Sequence, residues 1–213
     1  MLIVTAQEMR EMDRLTIEKY GIPSLKLMER AGQGITRAIL KRFSRAARKG
    51  VLVVAGKGNN GGDGLVVARL LKQKRIPCEV VLLSPKSEVS PDSAHNLQAY
   101  LRLKGKIVEI TAGELDLLGE RMKRKGLLVD AILGTGMKNE VGGLYAEAIA
   151  RMNSSELPIV AVDIPSGLDS DNGTPLGMGI QAAMTVSLGY AKLGEVIYPG
   201  LNYVGDLTVS DQD

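Results

Sequence analysis

Apolar and polar positions alternate in blocks along most of this chain. Five short runs are dense in Val, Ile and Leu: VLVVA (51–55), CEVVLL (78–83), KIVEI (106–110), LLVDAIL (127–133) and PIVAVDI (158–164). Between them, apolar positions recur at helical spacing near 64–74, 92–103, 113–124 and 142–153. Strands alternating with helices need crossover connections, which are right-handed and lead to parallel pairing covered on both faces. The pattern therefore predicts a three-layer α/β fold with a mostly parallel central sheet. Ahead of the first run, Thr5 and Glu8 form a T-x-x-E capping box opening a helix to about Lys19, which GIP (21–23) breaks. Ser24 is placed to cap a second helix with Met28, Ile35 and Ile39 on its inner face. Near the end, AAMTVSLGYAK (182–192) and LNYVGDLTVSD (201–211) predict two more strands at a sheet edge. No repeat or low-complexity linker divides the chain, so one domain is expected over 1–213.

Composition narrows the chemistry more than the fold. With 45% hydrophobic and 24% charged residues and a mean hydropathy of +0.04, the chain reads as a soluble globular protein. The net charge is +3, and the basic stretches 41–50 and 121–125 read either as solvated helix ends or as a polyanion surface. Aromatic residues are only 3% of the chain and do not interleave with those cations, which argues against nucleic acid. Cys78 is the only cysteine, so neither an internal disulfide nor a cysteine-based zinc site can form. His95 is the only histidine and falls on a helical pattern, where a surface or half-buried place is expected rather than a triad or metal site. The start lacks the apolar core of a signal peptide, and no apolar run reaches 18 residues. No membrane partner and a cytoplasmic location are expected.

Three of the predicted strands lead into loops of one kind. GKGNNGGDG (56–64), GTGMKNE (134–140) with Asp130 just before it, and DIPSGLDSDNG (163–173) all join Gly to short polar residues. In a parallel sheet these loops share the carboxyl edge, where ligands bind. Glycine in the first loop would let backbone N–H groups of a helix start approach a phosphate. Asp63 is awkward for an anion and reads either as an N-cap for a helix near Gly64 or as a ligand contact. Asp130 and Asp163 each follow an apolar strand, and they and Ser166 read as turn residues or as functional ones. Lys192 reads as a solvated surface residue. GKGNNG also fits G-x-G-x-x-G, the dinucleotide fingerprint, which needs an acid at the end of the next strand. The only acid there, Glu79, sits at the strand's entering end, roughly 13 Å from the ligand edge.

The set LMERAG (27–32), AGKGNNGGDG (55–64), VDAILGTG (129–136), VDIPSGLD (162–169) and KLGEVIYPGLNYVGDLTVSD (192–211) resembles the NAD(P)H-hydrate epimerases, in order and over nearly the whole chain. The resemblance implies a Rossmann-like domain that is usually a homodimer. It implies as substrate NADHX or NADPHX, the cofactors with water added to the nicotinamide ring, whose R and S forms are interconverted. An NAD(P)H-hydrate dehydratase, acting on the S form, is the implied functional partner. Because the chain stops at SDQD just after the matching region, dehydratase activity is expected to be absent. Carried over by position, the substrate loop falls on Asn59, Asn60, Gly61, Gly62 and Asp63. The second loop falls on Gly134, Thr135, Gly136, Met137, Lys138, Asn139 and Glu140, with a further contact at Asp163. One potassium ion per subunit is implied at Asn60, Asp130 and Ser166, a hard-oxygen set suited to such a cation. The second loop departs from the family where a common Arg is replaced by Asn139, with Lys138 beside it as a substitute charge.

The hydrated carbon bears a hydroxyl and a ring nitrogen. Protonating the hydroxyl releases water, nitrogen stabilises the cation left behind, and water returning to the opposite face inverts the centre. That requires one acid–base group and no redox cofactor. Asp163 is the expected catalytic group and Asp63 the second choice. Two alternatives stay open: a non-catalytic nucleotide-binding or scaffold domain of the same fold, and an NAD(P)-dependent oxidoreductase. A P-loop kinase or ATPase is weaker, because GKGNNGGDG is not G-x-x-x-x-G-K-[ST].

Overall fold

Residues 2–210 are described by the computed structural model of the chain. Met1 and residues 211–213 lie outside it, and with them the ends of the expected domain and the final Asp of the 192–211 motif. The chain opens with a short strand, β1 (Ile3–Val4), and helices α1 (Ala6–Glu18), α2 (Ser24–Arg42) and α3 (Ser44–Lys49). The alternation then begins: β2 (Val51–Ala55), α4 (Asn59–Gln73), β3 (Cys78–Leu82), α5 (Pro91–Arg102), β4 (Lys106–Glu109), α6 (Asp116–Met122), β5 (Leu127–Ala131), α7 (Gly143–Asn153) and β6 (Ile159–Val162). It closes with β7 (Met184–Leu188), β8 (Ala191–Lys192), the single turns α8 (Leu193–Val196) and α9 (Leu201–Val204), and β9 (Asp206–Ser210).

Seven strands form one parallel sheet in the order β4-β3-β2-β5-β6-β7-β9, as the block pattern predicts. Each strand serves both faces because successive side chains point to opposite sides. Val51, Val53 and Ala55 of β2 join Ile35, Leu65, Leu71 and Tyr100 in one core, while Leu52 and Val54 join Leu118, Ile149 and Met152 in the other. Each fully buried Val or Leu contributes about 1.5–3 kcal/mol, so the continuous apolar runs are the largest stabilising feature of the fold. Of the two C-terminal strands, β9 takes the edge, and β7 lies inside it. A separate two-stranded parallel pair joins β1 to β8, with Ile3 opposite Ala191 and Val4 opposite Lys192.

The capping box forms as expected: Glu8 N–H donates to Thr5 Oγ1 (3.2 Å), and Thr5 N–H donates to Glu8 Oε2 (2.8 Å). Two other cap expectations fail. Ser24 is the first residue of α2 rather than its cap; Pro23 occupies that place without a side-chain bond. Helix α4 begins at Asn59, five residues before the predicted start, with Gly58 at its N-cap. Asp63 therefore lies inside the helix and cannot cap it. Glycines cost about 1 kcal/mol each in a helix, so the pattern predicts a loop over 59–63. Packing overrides this. A Cβ on Gly61 would stand 2.0 Å from the Gly56 carbonyl oxygen, and one on Gly64 would stand 2.5 Å from Ala131 Cβ. Only glycine lets α4 press this closely onto β2 and β5.

Candidate active site

The strand order reverses between β2 and β5: the chain leaves β2 toward β3 and β4, then returns to build β5, β6 and β7 on the other side. Loops leaving β2 and β5 diverge there and open a crevice at the carboxyl edge. A cavity of about 670 Å³ occupies it. Its walls are the β2–α4 turn with the start of α4, the 132–137 segment after β5, and Asp163 at the exit of β6. Met9, Asp13 and Ile17 of α1 close one side, with Met28 of α2 beside them.

The first turn of α4 faces this cavity with no side-chain cap, so its N–H groups and the helix dipole are available to an anion. Its geometry is held from behind. Ser90 Oγ donates to Asn59 Oδ1 (2.8 Å), and Ser93 Oγ donates to the Gly58 carbonyl (2.8 Å).

Asn60, Asp130 and Ser166 converge through Leu133. Asn60 Nδ2 and Ser166 Oγ both lie within hydrogen-bond distance of the Leu133 carbonyl, at 2.9 and 3.1 Å. The two Asp130 oxygens accept from Ser166 Oγ (2.5 Å) and Ser166 N–H (2.8 Å), and Ile132 N–H adds a third contact at 3.2 Å. Asp130 and Ser166 are fully buried beneath this turn. Burial pushes the Asp130 carboxyl up to about 6, against hydrogen bonds that lower it. Asn60 Oδ1 is buried with no donor among the described residues. An orphaned carbonyl oxygen and a buried carboxylate that both meet the Leu133–Ser166 turn are costly to bury, and a cation held there would relieve both. The oxygen set fits a hard monovalent ion. Among the described residues no cluster of three His, Cys, Asp or Glu could hold a metal, which sets this group apart from a transition-metal site.

A second polar group lies at the other wall. Asp163 sits in the left-handed region (φ 67°), unusual for a residue with a Cβ, and is held there by Asp163 N–H donating to the Val186 carbonyl (3.0 Å). Its carboxylate is ion-paired with the Lys192 ammonium. Lys192 is 0% exposed, which overturns the expectation of a solvated lysine. The pairing of β1 with β8 buries it, and its ammonium also donates to Ser187 Oγ (3.0 Å) and the Leu188 carbonyl (3.2 Å). Behind it lies Glu195, also fully buried, whose Oε2 accepts from Lys192 N–H and Ser187 Oγ, both at 2.7 Å. Burial lifts Glu195 to about 7 against the Lys192 charge. Asp63 reaches the same cavity from α4. Burial raises its carboxyl well above the ordinary range, the charges of Asp163 and Asp13 push the same way, and Lys192 opposes them. Asp13 is raised for the same reasons, burial first and then Asp163.

Not every residue carried over by position reaches the cavity. Gly134, Thr135, Gly136 and Met137 line it, as do Asn59, Asn60, Asp63 and Asp163. Gly61 and Gly62 are buried behind it; a Cβ on Gly62 would meet Met28 Sδ and Ser93 Oγ at 2.7 Å. Lys138, Asn139 and Glu140 stand outside the wall. Lys138 pairs with Asp171 (3.1 Å), whose other oxygen accepts the Ala6 N–H (2.6 Å). Two residues escaped the sequence reading. Asp13 had a usable signal: Met9, Asp13 and Ile17 recur every four residues on one face of α1, an acid between two apolar positions. Lys192 had none, because its burial depends on a strand from the other end of the chain.

Glu79 lies where the strand register predicts, opposite Leu52 near the entering end of the sheet, bonded to Arg121 and Lys125 at 2.9 Å each. It cannot reach a ribose at the carboxyl edge, so the dinucleotide fingerprint stays incomplete. His95 is exposed, as expected. Among the described residues no helix is long and apolar enough to cross a membrane.

Comparison with known proteins places this geometry. The family model described as YjeF-related protein N-terminus matches residues 24–194. A protein of Limosilactobacillus fermentum named NAD(P)H-hydrate epimerase is 38% identical over 98% of this chain and 95% of its own length. One of Moorella thermoacetica, named bifunctional NAD(P)H-hydrate repair enzyme Nnr, is 41% identical over 99% of this chain, which spans 40% of that protein's length. The crystal structure of yeast ynu0 superposes with a TM-score of 0.82 at 28% identity, covering 92% of this chain and 83% of that one. With a match across most of its length, this chain belongs to the family of YjeF-related N-terminal domains.

Proposed function

We propose that this protein is an NAD(P)H-hydrate epimerase, an isomerase that interconverts the R and S forms of NADHX and NADPHX in nicotinamide nucleotide repair. The observation that carries the reading is the relative named for that activity and matched nearly end to end. The cavity supports it chemically. Reversible loss of water from a hemiaminal carbon needs a proton donor, a place for the cationic ring and no hydride acceptor. The carboxyl groups of Asp13, Asp63 and Asp163, with Asp92 further along the wall, line the crevice where a nucleotide would bind. The phosphates belong at the uncapped start of α4, beside Asn59 and Asn60.

One potassium ion per subunit belongs at Asn60, Asp130 and Ser166, where the orphaned Asn60 oxygen and buried Asp130 carboxylate are satisfied together. Bound there, it would supply positive charge beside the phosphates and tie the start of α4 to the turn after β5. A homodimer in the cytoplasm, working with an S-specific NAD(P)H-hydrate dehydratase, completes the reading. The bifunctional name of the Moorella protein fits that partnership.

The test supplies the pure protein with mixed R- and S-NADPHX and an S-specific dehydratase. The expected result is complete consumption, with the R form disappearing at a rate proportional to added protein. An R fraction that decays no faster than in buffer would leave a nucleotide-binding or scaffold role in its place.

A further inference from the structure

Asp63 and Asp163 share the cavity, but their surroundings are opposite. Asp163 faces a fixed cation. The three protons of the Lys192 ammonium are committed to Asp163, Ser187 Oγ and the Leu188 carbonyl, so Lys192 has none to deliver to a ligand. Leu188 N–H adds a weaker contact to the same Asp163 oxygen at 3.3 Å. Among the described residues no cation is ion-paired with Asp63. It stands in the second turn of α4, 9% exposed, and the charged groups that act on it are Asp163 from the β6 exit, Asp13 from α1 and Lys192 from β8. Lys57 and Asp92 also line the cavity, and Lys57 is turned toward Glu88 at 3.6 Å. Ionising Asp63 would set three carboxylates against one ammonium already matched to Asp163. One carboxyl matched to an ammonium and one without such a partner are the setting in which a fixed charge and an acid divide a site.

Resting on the epimerase reading, we propose that the two carboxyls divide the reaction. Asp63 donates the proton that carries off the ring hydroxyl, and the Asp163–Lys192 pair holds the negative charge that faces the cationic ring. Lys192 is a positioning residue acting through Asp163, with Ser187 and Glu195 fixing it from behind. Asp63 O–H gives its proton to the hydroxyl oxygen, the C–O bond breaks, water departs, and the nitrogen lone pair forms the C=N⁺ bond. Asp63 is then a carboxylate. Water adds to either face of the planar carbon, a new C–O bond forms, the nitrogen recovers its lone pair, and the excess proton returns to Asp63. One water leaves and one enters, one proton goes out and back, and nothing is oxidised. The raised carboxyl of Asp63 agrees with this role. Assigning the donor to Asp163, as the sequence pattern does, overlooks the buried lysine against it.

The first test reads the wild-type protein and uses a variant only to assign the signal. In protein labelled with ¹³C-aspartate, the Asp63 carboxyl signal, assigned by its loss in Asp63→Asn, is expected in the protonated position at pH 7. A fully ionised signal there overturns the proposal. In the coupled NADPHX assay, Asp63→Asn is expected to lose about 10²–10⁴-fold in epimerisation while NADPHX still binds. Asp163→Asn should slow the reaction but keep the alkaline limb of the pH–rate profile. Lys192→Gln, which takes away the ammonium paired with Asp163, should shift the acid limb to higher pH. Should Lys192→Gln fold poorly, the double variant with Asp163→Asn removes both charges and should lose no more activity than Asp163→Asn alone. An unmoved acid limb, strictly multiplicative losses in the double variant, or near-normal turnover by Asp63→Asn each overturn the proposal. Failure of the wild-type protein to epimerise would instead defeat the functional reading, and the carboxyl signal would still report on the charge arrangement.

Discussion

Buried acids occur at both ends of the parallel strands, and the two ends treat them differently. At the entering end Glu79 meets two cations, Lys125 and Arg121, each at 2.9 Å. At the exit end Asp13, Asp63 and Asp163 share one ammonium, Lys192, and beneath the same loops lie the buried Asp130 and an Asn60 amide oxygen with no donor among the described residues. The first arrangement completes itself and asks nothing of a ligand. The second holds acid in excess, a stability cost retained only where something else uses it. The contrast separates a structural charge from a functional one more sharply than burial does, since Glu79 and Asp63 are 7% and 9% exposed.

The contrast breaks most visibly if the entering end is disturbed. Glu79→Gln leaves the Lys125 ammonium, only 14% exposed, without a full counter-charge. The expected loss is on the order of 3 kcal/mol, or roughly 6–12 °C in Tm, with turnover per folded molecule unchanged. Thermal melting and the coupled assay on the soluble fraction measure both. A large catalytic loss without a drop in Tm would erase the distinction between the ends.

The next effect comes from supplying what the exit end lacks. Potassium chloride should stabilise the protein over choline chloride at equal ionic strength, by about 2.7 kcal/mol when the ion stands at 100 times its Kd, read as a rise in Tm. Asn60→Ala, which removes the orphaned oxygen, should lose most of that gain. An identical salt response in the two proteins would place the ion elsewhere.

A smaller effect sharpens the reading of Asp63. Its folded carboxyl is raised above the unfolded value of 3.8, so its share of stability is fully present below that pH and is lost as pH rises through the raised value. Asp130, raised to about 6, and Glu195, raised to about 7, act in the same direction. Asp63→Asn removes one of these contributions. Its Tm relative to wild type should therefore climb steadily as pH goes from 5 to 8, and a constant difference across that range would count against a buried neutral carboxyl.

The smallest effect concerns Lys138, the neighbour of Asn139, where the resemblance puts an Arg. Its pair with Asp171 is 58% exposed on the lysine side, and such pairs contribute about 0–1 kcal/mol. Lys138→Ala should change Tm by less than about 4 °C and leave NADPHX turnover within about twofold. A tenfold rise in KM would bring Lys138 into the site despite its place outside the wall.

Much of this architecture was legible beforehand, because it rests on local rules. Continuous apolar runs read as strands buried on two faces, and the Thr5–Glu8 box started α1 as expected. The glycines of the 56–64 loop read as room for backbone to approach a phosphate, and the pattern placed the helix start too late. Glycine's low helix propensity concealed a contact across to β5 that only the folded sheet supplies. The same limit applies to the site. Loop residues of unusual type announced themselves, but the neighbours that set their charge did not.

By itself, then, the sequence determined the alternation of strands and helices and the shared edge of the three loops. These follow from periodicity, turn chemistry and chain direction, all of which act over a few residues. The tertiary structure alone decided that Lys192 is buried against Asp163, that Asp13 completes the acidic wall, and that Asp63 sits within a helix rather than capping one. Each depends on segments from distant parts of the chain excluding water together, and a charge takes its character from the dielectric and the partners that such packing creates.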